Sequence, residues 1–107
     1  MKLIFAIIQT EDEKSLIRAL VEHEISVTSI TSSGGFLKSG NATLMIGADE
    51  DHVPIVLDII KHKSHRRKSM MPPVTASRTT EGIPTPVPVY VGGATLFIVD
   101  VAQFIKF

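Results

Sequence analysis

Four segments of the chain have the hydrophobic pattern of β-strands. Residues 2–9 form a continuous apolar run with β-branched side chains, which predicts a strand buried on both faces. Residues 25–32 are rich in β-branched side chains, and residues 42–48 follow closely enough to form a hairpin with them. Residues 89–101 supply a final strand region, which a pair of glycines interrupts. We expect these strands to form one sheet.

Two helices are predicted between these strands. Thr10 and Glu13 have the spacing of a capping box, which indicates a helix from residue 10 to about residue 24. The buried stripe of this helix is expected to consist of Leu16, Ile17, Leu20 and Val21. Asp49 or Asp51 is expected to cap a second helix, since Pro54 is tolerated only in a first turn. The buried face of that helix is expected to consist of Val53, Val56, Leu57 and Ile60.

The order of these elements is β-α-β-β-α-β, within a single domain that spans residues 1–107. This order is the ferredoxin-like arrangement, an α+β fold in which both helices pack on one face of an antiparallel sheet. Residues 64–88 show no periodicity and contain five of the six prolines, so they are predicted to form a long proline-rich loop.

Both faces of the predicted sheet are apolar, although two helices cover only one of them. Along the first strand, the two alternating apolar sets are Leu3, Phe5 and Ile7 on one face and Ile4, Ala6 and Ile8 on the other. Self-association would cover the second face, and so would the long loop if it folded back. The pattern leaves both alternatives open.

Composition narrows the possible functions. The 107 residues include no cysteine, which excludes disulfides, thiol catalysis and cysteine-ligated zinc. Eleven basic side chains balance eleven acidic ones, so net charge does not indicate a nucleic-acid or membrane partner. The apolar run at residues 2–9 is too short to cross a bilayer, and no signal-peptide cleavage site follows it. We therefore expect a cytoplasmic protein.

The glycine-rich turn at residues 34–41 is the first candidate binding site. Its glycines allow backbone amides to approach an anion, and Asn41 adds a donor and an acceptor. The turn does not match the phosphate loop of nucleotide hydrolases, because Leu37 stands where that motif has glycine before Lys38. A phosphate cradle and a simple hairpin turn both fit the pattern.

The other residues that could carry chemistry give weaker signals. Gly92 and Gly93 indicate either a β-bulge or the close approach of a ligand. His62 and His65 have helical spacing, but no further ligand completes a metal site. The basic stretch at residues 61–68 suits a helix C-terminus and has no interleaved aromatic side chain. No arrangement of side chains indicates catalysis.

Several short motifs together resemble those of a known family. They are Thr28, the Gly34-Gly35-Phe36-Leu37 and Gly40-Asn41 steps, Gly47, and residues 91–95. As a set they are similar to the PII-like cyclic-di-AMP receptors of Gram-positive bacteria, from end to end of the chain. The resemblance implies a non-enzymatic homotrimer that binds cyclic di-AMP between subunits. It also implies that a short loop at residues 35–40 and the long loop at residues 64–88 reorganise when the ligand binds.

The resemblance also assigns ligand-binding residues by position. Thr28 and Asn41 would hydrogen-bond the nucleotide. The remaining pocket residues would be Gly35, Phe36, Leu37, Gly47, Gly92, Gly93 and Phe97, with Lys106 supplying a charge from the tail. It implies no catalytic residue, metal or further cofactor, and no motif identifies a downstream protein target.

Two positions depart from the family pattern. Family members that bind cyclic di-AMP carry arginine where this chain has Ser26, and glutamine where it has Lys106. A hydrogen bond from arginine to phosphate contributes about 1.5–3 kcal/mol, so we expect binding with altered affinity. The alternatives are a PII-type sensor of ATP, ADP or another nucleotide, and a protein-interaction scaffold that no longer binds a ligand.

Overall fold

The computed structural model describes residues 1–30, 40–71 and 87–107 of the chain. In chain order, the elements found there are β1 (Lys2–Gln9), α1 (Thr10–Glu22), β2 (Ser26–Ile30), β3 (Asn41–Ala48), a 3-10 helix (Glu50–His52), α2 (Val53–Ser64), β4 (Arg67–Met71), β5 (Val87–Val91) and β6 (Ala94–Asp100). Neither α1 nor α2, the α-helices of these described ranges, is long and apolar enough to cross a membrane.

Four of the strands form one antiparallel sheet in the order β2-β3-β1-β6. The strand β1 pairs with β3 on one side and with β6 on the other, and β2 pairs with β3 as the predicted hairpin. Both α-helices pack against this sheet and against each other. The ferredoxin-like α+β arrangement predicted from the element order is therefore confirmed.

The hydrophobic core lies between the two helices and one face of this main sheet. On β1, the even-numbered residues Ile4, Ala6 and Ile8 are fully buried, whereas the odd-numbered residues are half-buried. Strand β3 alternates in the same way. Full burial of an aliphatic side chain contributes about 1.5–3 kcal/mol, so this face supplies most of the stability of a single chain. The prediction that β1 is buried on both faces is met on the helix side only.

Both helices differ from the sequence prediction at their beginnings. The helix α1 starts at Thr10 with no capping hydrogen bond from a side chain, so the predicted capping box is wrong. The Thr10 backbone N–H instead donates to the Gly40 carbonyl at 2.7 Å, which joins the start of α1 to the residue before β3. A 3-10 turn after Asp49 precedes α2, and neither Asp49 nor the residue before α2, His52, makes a side-chain capping hydrogen bond, so the predicted cap by Asp49 or Asp51 is wrong. Pro54 lies in the first turn of α2 as predicted.

The buried stripe of α1 also differs from the prediction. Leu16 and Leu20 are buried, but Val21 is exposed and Ala19 is buried in its place. With Asp12, the buried positions follow the i, i+4, i+7, i+8 spacing of one helical face, and residue 21 lies off that face. On α2 the predicted Val56 and Ile60 are buried together with Ile59, while Val53 and Leu57 are partly buried.

Residues 64–88 are not a loop at their two ends. The strands β4 and β5 pair with each other as a separate two-stranded antiparallel sheet, here called the ribbon. The predicted long loop is therefore wrong at both ends, while residues 72–86 lie outside the described part of the chain. Pro88 is compatible with the ribbon because each strand of a two-stranded sheet has a free edge.

A group of hydrogen bonds, here called the clasp, fastens the ribbon to the rest of the fold. The Asp12 side chain on α1 is only 5% exposed and accepts from Arg67 of β4, with 2.7 Å between Oδ1 and Nη2. Arg67 also donates to the His65 carbonyl at 3.1 Å. On the other strand, the Gly92 backbone N–H donates to Gln9 Oε1 at 2.7 Å. The hydrogen bond that Arg67 donates to the Asp12 carboxylate raises the pKa of Arg67, as expected for a paired guanidinium.

Replacing Asp12 with asparagine is expected to loosen the clasp. Asp12→Asn keeps the shape of the side chain but removes the charge that Arg67 pairs with, which should cost about 1–3 kcal/mol of unfolding free energy. Urea denaturation measures the change. Glu11→Gln removes an equal charge from an exposed position in the same turn and should cost less than about 0.5 kcal/mol. Equal costs for the two substitutions would contradict the clasp.

Candidate functional site

The side of the main sheet that faces away from the helices, here called the open face, carries the candidate site. Strand pairing arranges its side chains in rows across all four strands. One row consists of Ser26, Gly47, Leu3 and Val99, and the next of Thr28, Met45, Phe5 and Phe97. These residues are half-buried or exposed, and no helix of the described ranges covers them. The open face is thus an apolar surface with hydroxyl groups along its β2 edge.

A pocket of about 370 Å³ lies at the β2 edge of the open face. Its described lining consists of Met1, Lys2, Leu3, Ser26, Thr28, Met45, Gly47, Val101 and Phe104. The backbone N–H of Val101 donates to the Met1 carbonyl at 3.2 Å, which holds the beginning of the C-terminal tail beside β1. Phe104 therefore forms one wall of the pocket. The volume falls within the range of small-molecule sites.

Gly47 leaves space at the floor of this pocket because it has no side chain. It lies opposite Ser26 on one neighbouring strand and opposite Leu3 on the other. A Cβ added to Gly47 would lie 3.2 Å from Cε of Met1, which is closer than an ordinary van der Waals contact. The absence of a side chain at this position therefore leaves space between Met1 and the β2 hydroxyls.

The pocket carries little charge of its own. Lys2 has the only charged side chain among the described lining residues, and it is engaged by Asp100 and, at 3.8 Å, by Glu50. The hydrogen bond with Asp100 raises the pKa of Lys2, and the same bond lowers the pKa of Asp100. Ser26 and Thr28 offer neutral hydroxyls. Within the described ranges, no group of three or more histidine, aspartate or glutamate side chains could hold a metal ion.

The structure brings some of the predicted ligand-binding residues together and separates others. Thr28 and Gly47 both line the pocket. Asn41 begins β3, at the opposite end of the strand, about 14 Å from the row of Thr28. Phe97 lies in the row of Thr28 but three strand spacings away, which is also about 14 Å. Lys106 is exposed in the tail.

The sequence prediction missed the aromatic wall of the pocket. Phe104 is 66% exposed in a single chain, and its neighbours Ile105 and Phe107 are exposed as well. Three large apolar residues in a terminal segment are a signal that could have indicated a surface to be covered. The predicted pocket residues Gly35, Phe36 and Leu37 lie outside the described residues, so their role stays a prediction.

Gly92 and Gly93 form the crossing from the ribbon to the main sheet. Their φ angles are +88° and +97°, a backbone region that residues other than glycine rarely adopt. The Gly92 amide donates to Gln9 and the Gly93 amide donates to the Ser64 carbonyl. The pair lies between two strands of different sheets, so the bulge interpretation is wrong. Both amides are engaged within the chain, and the close approach that Gly92 permits is to the His65 carbonyl.

Comparison with known proteins adds to this geometry. A model of the cyclic-di-AMP receptor family matches residues 1–107, the whole chain. The chain belongs to the cyclic-di-AMP receptor family. This confirms the family resemblance inferred from Thr28, Gly47 and the glycine motifs.

One solved structure has the same fold as this receptor-family chain. It is the crystal structure of a functionally unknown protein from Pediococcus pentosaceus ATCC 25745, with 40% sequence identity and a TM-score of 0.80. The match covers 99% of this chain and 96% of the other. The ferredoxin-like arrangement is therefore shared over nearly the full length of both.

Gly92→Ala is expected to destabilise the protein more than Gly93→Ala. Alanine costs about 1–2 kcal/mol at either position, because both have positive φ. A Cβ on Gly92 would also collide with the His65 carbonyl and lie 2.6 Å from Arg67 Nη1, whereas a Cβ on Gly93 would meet nothing within 4 Å. Scanning calorimetry should show a melting temperature lower by several degrees for Gly92→Ala. Equal melting temperatures would argue against the tight crossing.

Proposed function

We propose that this chain is a non-enzymatic nucleotide second-messenger receptor that binds cyclic di-AMP between the subunits of a cytoplasmic homotrimer. The observation that carries the proposal is the pocket at the edge of the open face, where Thr28, Gly47 and Phe104 border an apolar surface. The description of the family supports cyclic di-AMP as the ligand.

The open face supports a site that is shared between copies. Val99 and Phe97 are 44% and 48% exposed, and they continue the apolar rows that begin at the pocket. A second copy on this face would bury those rows and close the pocket at once. Asn41 and Phe97 lie too far from Thr28 to contact the same end of a ligand within one chain. A neighbouring subunit would supply its own copy of such residues across the interface.

The chemistry of the pocket favours binding over catalysis. Among its described lining residues there is no carboxylate or imidazole to act as a general acid or base. The hydroxyls of Ser26 and Thr28 suit hydrogen bonds to a phosphate or a base, and Phe104 suits stacking. Ligand binding then changes the chain around residues 35–40 and between β4 and β5, and through these segments its affinity for a downstream protein.

Ser26 favours a second candidate function. It lines the pocket at the position where the family pattern has an arginine, so this chain departs from that pattern at a residue expected to contact the phosphates of the ligand. A PII-type sensor of ATP or ADP is the corresponding alternative. A scaffold without any nucleotide ligand is the outcome if all of these compounds fail to bind.

Thermal unfolding in the presence of nucleotides tests these functions directly. A ligand that binds only the folded state stabilises it by about 2.7 kcal/mol at one hundred times its Kd, which shifts the melting temperature measurably. We expect a shift with cyclic di-AMP and none with the linear dinucleotide that is formed when one of its phosphodiester bonds is hydrolysed. A shift with ATP or ADP alone supports the second candidate, and no shift with any of them supports the scaffold.

Ser26→Arg is expected to strengthen cyclic di-AMP binding about tenfold or more, because it adds a charge-assisted hydrogen bond to phosphate. Isothermal titration calorimetry measures the Kd. The matched control is Ser29→Arg, which places the same charge on β2 but on the helix side, where Ser29 donates to Glu13 at 2.6 Å. Unchanged affinity in Ser26→Arg, or an equal gain in Ser29→Arg, would place the phosphates elsewhere.

Val99→Asp is expected to disrupt the homotrimer, because an interface that covers the open face would have to bury the new charge. The control is Ile55→Asp on α2, where the exposed fraction is 42%, close to the 44% of Val99. Sedimentation velocity should show monomers for Val99→Asp and unchanged assembly for Ile55→Asp. An intact Val99→Asp oligomer would show that another surface mediates assembly.

A further inference from the structure

A second depression lies on the helix side of the main sheet, away from the open face and its pocket. It has a volume of about 250 Å³, an apolar floor of Leu57, Ala94 and Leu96, and a rim of Lys61, His65 and Arg66. We call it the basic groove. Ala94 and Leu96 pair with the helix-side residues Ile8 and Ala6 of β1, so covering the open face leaves this groove accessible.

The groove is bordered by the strongest concentration of positive charge in the chain. Residues 61–68 contain five of the eleven basic residues and none of the eleven acidic ones. Arg67 is neutralised by Asp12 in the clasp. By contrast, no described carboxylate forms an ion pair with Lys61, Arg66 or Lys68. Their charge therefore remains available to an external anion.

The ribbon places an aromatic side chain next to this rim, in contact with Arg66, which the sequence pattern did not reveal. The Arg66 guanidinium lies 4.4 Å from the centroid of the Tyr90 ring, a cation–π contact that orients it. Lys68 pairs directly opposite Tyr90 across the ribbon. Tyr90 itself is 61% exposed. Arginine and tyrosine, with tryptophan, are enriched among the interface residues that contribute most of the binding energy.

We propose that the basic groove is a docking surface for an acidic segment of a partner protein, with carboxylates on the cationic rim and an apolar side chain on the floor. The mixed chemistry favours a protein over a nucleic acid. Asp58 lies in a neighbouring cleft with Lys61 and His65. A short acidic segment can place its few carboxylates on Lys61 and Arg66 and away from Asp58, whereas a continuous phosphate backbone carries a charge at every step and would have to pass it. An apolar floor between cations suits a leucine or phenylalanine flanked by glutamates, and such complementarity gives specificity.

The test uses the full-length protein and a fluorescein-labelled peptide of alternating glutamate and leucine pairs. Fluorescence anisotropy should show saturable binding that weakens as salt is raised. The same peptide with glutamine for glutamate should not bind, and neither should a peptide with serine for leucine. Single-stranded and duplex DNA of similar length are measured alongside. DNA binding as tight as that of the peptide overturns the proposal in favour of a nucleic-acid surface.

Charge reversal locates the binding on the protein. Lys61→Glu with Arg66→Glu should weaken peptide binding about tenfold or more, and the milder Lys61→Gln with Arg66→Gln should weaken it less. The matched control is Lys14→Glu with Arg18→Glu, which makes the same charge change at exposed positions of α1 and should leave the affinity within about twofold. An equal loss in the control, or no loss in either groove variant, overturns the proposal. We expect nucleotide binding at the open face to be unchanged in the groove variants, because neither Lys61 nor Arg66 lines that pocket.

Discussion

A four-stranded sheet with two helices on one side has a second face that no helix of the described ranges covers, and this constraint shapes the rest of the molecule. The helix side holds a fully buried core around Ile4, Leu44 and Ile46. The other side keeps apolar residues such as Phe5 and Val99 at partial exposure, and the pocket proposed as the ligand site lies at its edge. In the proposed homotrimer, assembly and ligand binding would use the same surface. A substitution there would then affect both.

The ribbon depends on a different interaction, the buried contact between Asp12 and Arg67. That contact joins the first turn of α1 to the beginning of β4, and the crossing at Gly92 lies against it. One strand of the ribbon is therefore tied to α1 and the other, through Gly92, to Gln9 of β1, both at the same end. Movement of the base of the ribbon would have to break the ion pair or distort a glycine with positive φ.

Local periodicity was sufficient to predict the element order, because each main-sheet element buries one face against the core. It was insufficient for the ribbon as a whole: residues 89–91 were predicted to be part of a strand, but β4 was missed because Arg67–Met71 shows no alternation of apolar and polar residues. Asp12 resembles any other acid at the start of a helix, and its burial depends on a partner 55 residues away. The position of Phe104 could not be predicted for a similar reason. Phe104 lines the pocket together with residues of β1 and β2 because of the path that the tail takes after β6, and no local pattern encodes that path.

The contact between Arg66 and Tyr90 has one more consequence. Tyr90 is the only tyrosine, and the chain has no tryptophan, so at excitation wavelengths that phenylalanine does not absorb, the intrinsic fluorescence of each chain originates from one ring at the base of the ribbon. A cation held over that ring makes its emission sensitive to how the guanidinium is placed. The unlabelled protein thus contains a single-site optical reporter, located on the element that joins the sheet to residues 72–86.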